Sequence, residues 1–273
     1  MLTMTMMMML FVLLLLVPVV VVLARLLWNK AQGRRRYVCV LVLGDLGRSP
    51  RMQYHVLSLS KTVEHVFTVA YAGSRPVEDI VSAQNITFVD IPTPPTLPPG
   101  WPRLAFVLYA PVKVVLQSVQ LVYSLLFRIP ACTHLLMQNP PSIPAMPIAV
   151  LVCWLTGTTL VIDWHNYGFS ILALKLGKRH VFVRLSEWIE RTFGRLGSRH
   201  LCVTDAMARD LRDNWGITAT TLHDRPPKYF KPKAAAVTHD LFMRFEQDHK
   251  RLLAPLRKRI GVSANQTLLT TKT

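Results

Sequence analysis

A short turn near the start of the chain carries groups that suit a bound diphosphate. It lies in the stretch LVLGDLGRSPRMQYH, between an apolar run and an amphipathic one. The turn offers backbone amides, a hydroxyl and two guanidinium groups where a helix is expected to begin, and such groups bind phosphate. We therefore predict an anion site here. Its members are Gly47, Arg48, Ser49 and Arg51.

Glycine spacing limits what this turn can hold. A dinucleotide-binding turn requires G-x-G-x-x-G, whereas here Gly44 is followed by Gly47. The spacing therefore argues against an NAD-dependent oxidoreductase. A purely structural role stays open, in which the two glycines make a tight turn, Ser49 caps the helix and Pro50 begins it.

A second group of reactive side chains lies in Ile162–Gly168, IDWHNYG, behind a strand-like apolar run. Its acid, imidazole and amide suit sugar hydroxyls, and its aromatic rings suit the apolar face of a sugar. Asp163 and His165 are candidate general bases, and Asn166 is a candidate ligand. The alternative is that Asp163 or Asn166 caps a helix.

Other polar residues carry weaker signals. Thr204 begins a helical stretch and is expected to be an N-cap. Arg225 leaves the last strand-like run and enters a proline-containing linker, where it could contact phosphate. Lone histidines are expected to be surface or core residues, namely His55, His180 and His200.

The elements that position these residues alternate between strand-like and helical patterns. Such alternation predicts a parallel sheet covered by helices on both faces, the Rossmann-like α/β class. Ligands of such sheets bind beyond the carboxyl ends of the strands, where both groups of reactive residues lie. The strand-like runs are Tyr37–Leu43, His65–Tyr71, Ile86–Ile91, His134–Asn139, Thr158–Trp164 and His200–Thr204.

The first residues predict a membrane anchor. No charge occurs from Met6 to Ala24, a run long enough to span a bilayer. The start is uncharged and lacks the pattern of a cleaved signal peptide, so we expect an uncleaved transmembrane helix over about 6–27. Basic residues follow it, and the positive-inside rule places the rest of the chain in the cytosol. The sequons at Asn85 and Asn265 are accordingly expected to stay unglycosylated.

Arg103–Phe127 is apolar nearly all round, although Pro111 and Lys113 interrupt it. One interpretation is a long core helix. The other is a helix that lies in or against the membrane beside the anchor, which would suit a lipid-borne substrate. A second full span is not expected, because it would separate the strands across the bilayer.

The predicted organisation has three parts. Residues 1–28 form the anchor, 37–225 the Rossmann-like domain, and 226–273 a linker and tail. In the tail we predict one helix over Asp240–Arg259, and the residues after the prolines are too few for a second nucleotide-binding domain.

The charge of the chain and its lack of certain motifs limit the classes of partner that it is expected to bind. The sequence has 32 Lys and Arg against 15 Asp and Glu, a formal charge of +17, which suits phospholipid, nucleic acid or a phosphorylated ligand. No RNA-binding motif or zinc-ligand spacing is present, so we expect no nucleic acid. The four cysteines lie far apart and are expected to be buried thiols in a reducing compartment.

Several ordered blocks resemble one family, the eukaryotic chitobiosyldiphosphodolichol β-mannosyltransferases. The resemblance runs from the anchor to about Met243. It implies the N-terminal, acceptor-side half of a GT-B glycosyltransferase on the cytosolic face of the endoplasmic reticulum. The blocks are VCVLVLGDLGRSPRMQYH, LVIDWHNYG, CVTDAMARDL and LHDRPPKYFKP.

What the resemblance implies is transfer of the first mannose from GDP-mannose to GlcNAc2-diphosphodolichol with inversion, giving a β1,4 linkage. It adds Asp45 to Asp163 and His165 as candidate bases. It also implies that Arg48, Ser49 and Arg51 face the lipid-borne diphosphate or the cleft. No cofactor is implied with certainty, and a divalent cation such as Mg²⁺ stays open.

The chain departs from the family after Met243, where a basic stretch stands in place of the domain that carries most GDP-mannose contacts. It resembles a truncated or alternatively spliced form, so we expect weak donor binding and little or no activity alone. The alternative function is a non-catalytic, membrane-anchored module that pairs with a full-length transferase or other dolichol-pathway glycosyltransferases.

Overall fold

The computed structural model describes residues 22–28, 36–95, 98, 100, 102–226 and 231–261. The chain divides into two compact units, Met1–Asp224 and Arg225–Thr273. Most of the predicted anchor over 6–27 lies outside the described residues.

The first unit contains a parallel seven-stranded sheet in the order β3-β2-β1-β4-β5-β6-β7. The order reverses between β1 and β4, and ligands of such sheets bind at that point, beyond the carboxyl ends. The predicted Rossmann-like parallel sheet is therefore confirmed. Its strands are β1 Tyr37–Asp45, β2 His65–Tyr71, β3 Ile86–Ile91, β4 His134–Asn139, β5 Thr159–Trp164, β6 Arg199–Cys202 and β7 Thr220–Thr221.

Helices connect the strands and cover both faces of the sheet. Along β1, Cys39 and Leu41 join one buried cluster and Val40 and Val42 the other, so the strand is apolar on both sides. Among the described residues, the α-helices that follow β1 in the first unit are α1 Pro50–Ser60, α2 Glu78–Val81, α3 Arg103–Tyr123, α4 Ala145–Thr156, α5 Gly168–Leu176, α6 Val181–Gly194 and α7 Asp205–Trp215.

α3 runs through Pro111 and continues as a wider turn over Ser124–Arg128. Among the described residues, Leu108–Arg128 is the helix long and apolar enough to cross a membrane, and most of its apolar stretch lies outside the core. Leu121 and Leu125 are buried, so the core-helix interpretation describes only its last turns.

The helical segment over residues 22–28 is fixed beside the end of α3. The Arg25 guanidinium donates to the carbonyls of Leu126 at 2.7 Å and Ile129 at 3.1 Å. The same segment packs Val22 and Leu26 against the core cluster that contains Leu121. The segment 22–28 therefore lies on the α3 side of the sheet.

The described part of the second unit contains two helices, α8 Ala235–Asp248 and α9 Lys250–Ile260. The prediction of one helix over Asp240–Arg259 is therefore wrong. His249 adopts φ −107° and ψ 21°, which is not helical, and it ends α8 and begins α9. The periodic pattern continues across this break because both helices are amphipathic, so the sequence does not reveal it.

All four cysteines are free and buried, as predicted. Burial raises the pKa of the Cys132 and Cys153 thiols to about 12. These thiols therefore stay protonated and unreactive at neutral pH.

Candidate active site at the carboxyl ends of the strands

The turn after β1 is organised around Asp45. Its carboxylate accepts hydrogen bonds from the backbone amides of Gly47 at 2.9 Å and Ser74 at 2.8 Å, and Arg48 lies 3.3 Å from it. The hydrogen bond from the Ser74 amide is the main cause of a lowered pKa at Asp45. Asp45 thus holds two loops together as a carboxylate, and one amide of the predicted anion site is already bonded to it.

The two glycines of the turn differ in the space around them. A Cβ on Gly47 would collide with the backbone carbonyl of Ser74, whereas a Cβ on Gly44 would meet only Val42 Cγ1 at 3.8 Å. We therefore expect Gly47→Ala to lower the free energy of unfolding by about 1–3 kcal/mol, because backbone must move. Gly44→Ala is the matched control and should stay close to the parent in denaturant unfolding. Equal effects would contradict this account of the turn.

Ser49 does not cap the following helix, although Pro50 does begin it as expected. Its hydroxyl instead donates to Gln138 Oε1 of β4 at 2.9 Å. The capping interpretation is therefore wrong, because the hydroxyl bonds across the point where the strand order reverses. Arg48 points outwards with 81% of its side chain exposed.

Arg51 and Asp163 form the centre of the site. Arg51 Nε and Nη2 each donate to one oxygen of Asp163 at 2.8 Å, a bidentate pair that joins α1 to the end of β5. The Arg51 side chain is 9% exposed and that of Asp163 is 0% exposed. Arg51 Nη1 also donates to the Leu222 carbonyl at 2.6 Å and to Asp224 at 2.9 Å.

Two histidines complete this cluster. His165 Nε2 lies 2.8 Å, and His55 Nε2 2.9 Å, from Asp163 Oδ2. Their side chains are 15% and 13% exposed, so the pair lies at the rim of the buried carboxylate. The expectation that His55 is a surface or core residue missed this site. The sequence feature that pointed to His55 is its position four residues after Arg51, because this spacing places both side chains on one face of α1.

The charge state of Asp163 fixes the protons of both histidines. Burial alone raises the pKa of Asp163, but hydrogen bonds from His165, His55 and Arg51 outweigh it and hold the pKa well below its ordinary value. An ionised carboxylate only accepts hydrogen bonds. Both histidines therefore carry a proton on Nε2, and in a neutral ring the lone pair lies on Nδ1.

The lowered pKa of Asp163 makes stability depend on acidity. The carboxylate stabilises the folded chain above its unfolded pKa of about 4. That contribution is lost as the pH falls towards the lower folded pKa. We expect the denaturant midpoint to fall between about pH 5 and pH 3, and Asp163→Asn to flatten this slope. An equally steep slope in the variant would assign the acid sensitivity to other carboxylates.

A buried glutamate of α6, Glu190, is hydrogen-bonded to the loop after β5. Glu190 Oε1 accepts from the backbone amide of Gly168 at 2.8 Å, and burial raises the pKa of Glu190. α5 begins at Gly168 with Tyr167 as its N-cap, so the interpretation of Asp163 or Asn166 as a cap is wrong. Asn166 is exposed and its carbonyl accepts from Asn139 at 3.3 Å.

The remaining predicted residues lie elsewhere. Trp164 is fully buried in the core, so its ring is not available to a sugar. Thr204 is an N-cap, as expected, and accepts from the Met207 amide at 3.2 Å. Arg225 is exposed at the start of the second unit. Among the described residues no group of three His, Cys, Asp or Glu side chains is placed to hold a metal ion.

The sheet order and the charged cluster beyond its carboxyl ends define an α/β protein of the Rossmann-like class. Comparison with curated proteins gives its relationship. It is 41% identical over 225 residues to the chitobiosyldiphosphodolichol β-mannosyltransferase of Mus musculus, covering 82% of this chain and 46% of that protein. Against the Yarrowia lipolytica protein of the same name, identity is 37% over 81% of this chain and 50% of the relative.

A plant protein is similar over a comparable region. The UDP-glycosyltransferase TURAN of Arabidopsis thaliana is 38% identical over 88% of this chain and 52% of its own length. The resemblance predicted from the sequence is therefore confirmed: this chain is similar over most of its length to curated chitobiosyldiphosphodolichol β-mannosyltransferases. It spans about half the length of the curated relatives it matches.

Comparisons with protein-family models and with solved structures add no closer relationship. No protein-family model matches the chain. A solved structure of Arabidopsis thaliana UGT89C1 covers 75% of this chain and 54% of its own, with 12% identity and a TM-score of 0.46. A score of this size is too low to support an argument about shared architecture.

Proposed function

We propose that this chain is the acceptor-side half of a GT-B β-1,4-mannosyltransferase. The reaction would move the first mannose from GDP-mannose to GlcNAc2-diphosphodolichol, with inversion at the sugar carbon. The observation that carries the proposal is 41% identity to a protein named for this chemistry over 82% of the chain. The Asp163 cluster supports it, because a base and cations are what such a transfer requires.

Among the three candidate bases, the geometry favours His165. Asp163 is 0% exposed, both its oxygens are bonded, and its lowered pKa makes it a weak base. Asp45 is engaged by two backbone amides. His165 has its Nε2 proton directed at Asp163, which leaves Nδ1 to take a proton from the acceptor hydroxyl.

Arg48 is the cation best placed for the acceptor diphosphate. The Arg51 guanidinium already donates hydrogen bonds to Asp163, to the Leu222 carbonyl and to Asp224. Arg48, in contrast, is 81% exposed beside the start of α1. Its contacts are with Asp45 and with the Ser74 hydroxyl at 3.2 Å. An exposed guanidinium can turn to a diphosphate without breaking a buried pair.

A non-catalytic module is the second candidate function. The chain spans about half the length of the curated relatives it matches. As a non-catalytic module, the chain would bind the lipid-linked chitobiose or pair with another glycosyltransferase of the pathway, and the donor sugar would be bound elsewhere. We place either form on the cytosolic face of the endoplasmic reticulum, held by one N-terminal span.

Binding of the acceptor tests the proposal on the chain itself. The full chain in lipid nanodiscs should bind a chitobiosyl-diphosphate lipid, and Arg48→Ala should weaken binding about 10-fold or more through loss of a charge-assisted contact. Arg212→Ala is the control, since Arg212 is an exposed guanidinium paired with Asp213. Equal binding of a lipid without the diphosphate would contradict the proposal.

Adding GDP-mannose to the same samples tests the binding-module alternative. We expect little or no mannosylated lipid from the chain alone. Product at a rate close to that of a complete relative would exclude the binding-module alternative.

A further inference from the structure

Three neighbouring helices expose large apolar side chains to solvent. On α6, Val181, Leu185 and Trp188 form one stripe at positions i, i+4 and i+7, with exposures of 72%, 43% and 57%. On α5, Leu174 is 89% exposed, and on α4, Trp154 is 77% exposed. We call these exposed side chains of α4, α5 and α6 the apolar face.

The apolar face is continuous with neighbouring elements. α6 packs on both α5 and α4, and α4 packs on α3. α3 adds a second exposed stripe at Leu108, Val112, Val115 and Val119. Arg25, at the end of the predicted anchor, is bonded to the turn that follows α3.

The exposed charges around the apolar face are mostly positive. Between Asp90 and Glu187 the sequence contains a single acidic residue, Asp163, and that residue is 0% exposed. Glu187 itself lies on α6, but it is 37% exposed and paired with Arg191 at 3.0 Å. The α5–α6 hairpin meanwhile carries four exposed cations. They are Lys175, Lys178, Arg179 and Arg184.

We propose that the apolar face lies on a bilayer that contains anionic phospholipid, with the apolar side chains of the α5–α6 hairpin below the headgroups. Trp and Leu on one side with Lys and Arg around them is the pattern of helices that lie in a membrane interface. A protein partner fits less well, because protein interfaces are depleted in lysine and pair charges of both signs. Anionic headgroups supply the negative charge that would balance the exposed cations of the hairpin.

This contact is separate from the anchor and does not depend on the identity of the reaction. It also has a consequence for the candidate site. α5 begins at Gly168, three residues after His165. A hairpin held at the headgroups would bring the site to the level at which a lipid carries its phosphate.

A fluorescent label on the hairpin tests the proposal in the full chain. All four native cysteines are buried, so Leu174→Cys can be labelled selectively with an environment-sensitive dye. Ser82→Cys is the matched control, because Ser82 is exposed and follows α2, which packs on the opposite face of the sheet. Both variants would be reconstituted in vesicles of phosphatidylcholine with or without phosphatidylserine.

We expect the label at 174 to brighten and to be quenched by spin-labelled lipid when phosphatidylserine is present, and the label at 82 to do neither. Replacing Lys175, Lys178 and Arg179 by serine should lower the ratio of docked to undocked hairpin about 5-fold for each charge. Added salt should act in the same direction.

Two results would overturn the proposal. One is a label at 174 that stays as accessible to aqueous iodide as the label at 82. The other is shielding of the label at 174 that is equally strong in detergent micelles and unchanged by the serine substitutions. That result would assign the apolar face to a second copy or another protein.

Discussion

Replacing Asp163 with alanine is expected to lower the free energy of unfolding by about 3–5 kcal/mol, because it leaves a buried cation without its partner. Arg51 would keep its position at 9% exposure and lose two hydrogen bonds of 2.8 Å. His55 and His165 would lose their shared acceptor as well. Denaturant unfolding of the full chain in detergent, followed by circular dichroism, measures the change.

The exposed pair of Arg212 and Asp213 provides the control. Their side chains are 61% and 58% exposed, so Asp213→Ala should change the free energy of unfolding by no more than about 1 kcal/mol. A second variant, Arg51→Lys, keeps the charge but cannot make the bidentate pair, and should also be destabilised. If Asp163→Ala is as mild as Asp213→Ala, the cluster does not hold the fold together.

Replacing His165 with glutamine is expected to lower kcat by about 10²- to 10⁴-fold, the usual contribution of a general base. The chain spans about half of its relatives, so the measurement requires a chimaera in which residues 36–224 replace the matching segment of the mouse relative. The acceptor KM should change little if the ring moves a proton and does not hold the sugar.

Two controls separate proton transfer from positioning. His134→Gln alters an exposed histidine at the start of β4. This residue lies at the amino-terminal end of the strands, opposite the site, so the substitution should leave kcat unchanged. His55→Gln removes the other ring bonded to Asp163, and we expect a smaller loss than for His165. A full loss at His55 with none at His165 would assign the base to His55.

Much of the fold could be predicted from local patterns. β1 reads as a continuous apolar run because it is buried on both faces, and the predicted run His65–Tyr71 matches β2 residue for residue. The order of the strands could not be predicted in this way. It depends on which strands pair, and pairing joins residues far apart in the chain.

In the site, too, local patterns predict some residues, whereas contacts between distant parts of the chain cannot be predicted. The sequence points to Asp163 and His165 because both follow a buried strand. It does not reveal that Arg51 lies on Asp163, since the two are 112 positions apart. Arg51 and Ser49 look like free phosphate ligands in sequence, whereas folding bonds the first to Asp163 and the second to Gln138.

The most direct test of the central claim is mannosyl transfer by the chimaera that carries residues 36–224 of this chain. The account predicts that this protein transfers mannose from GDP-mannose to chitobiosyl-diphosphodolichol, and that Arg48→Ala and His165→Gln both impair the transfer. A chimaera that folds and binds GDP-mannose but forms no mannosylated lipid would contradict it.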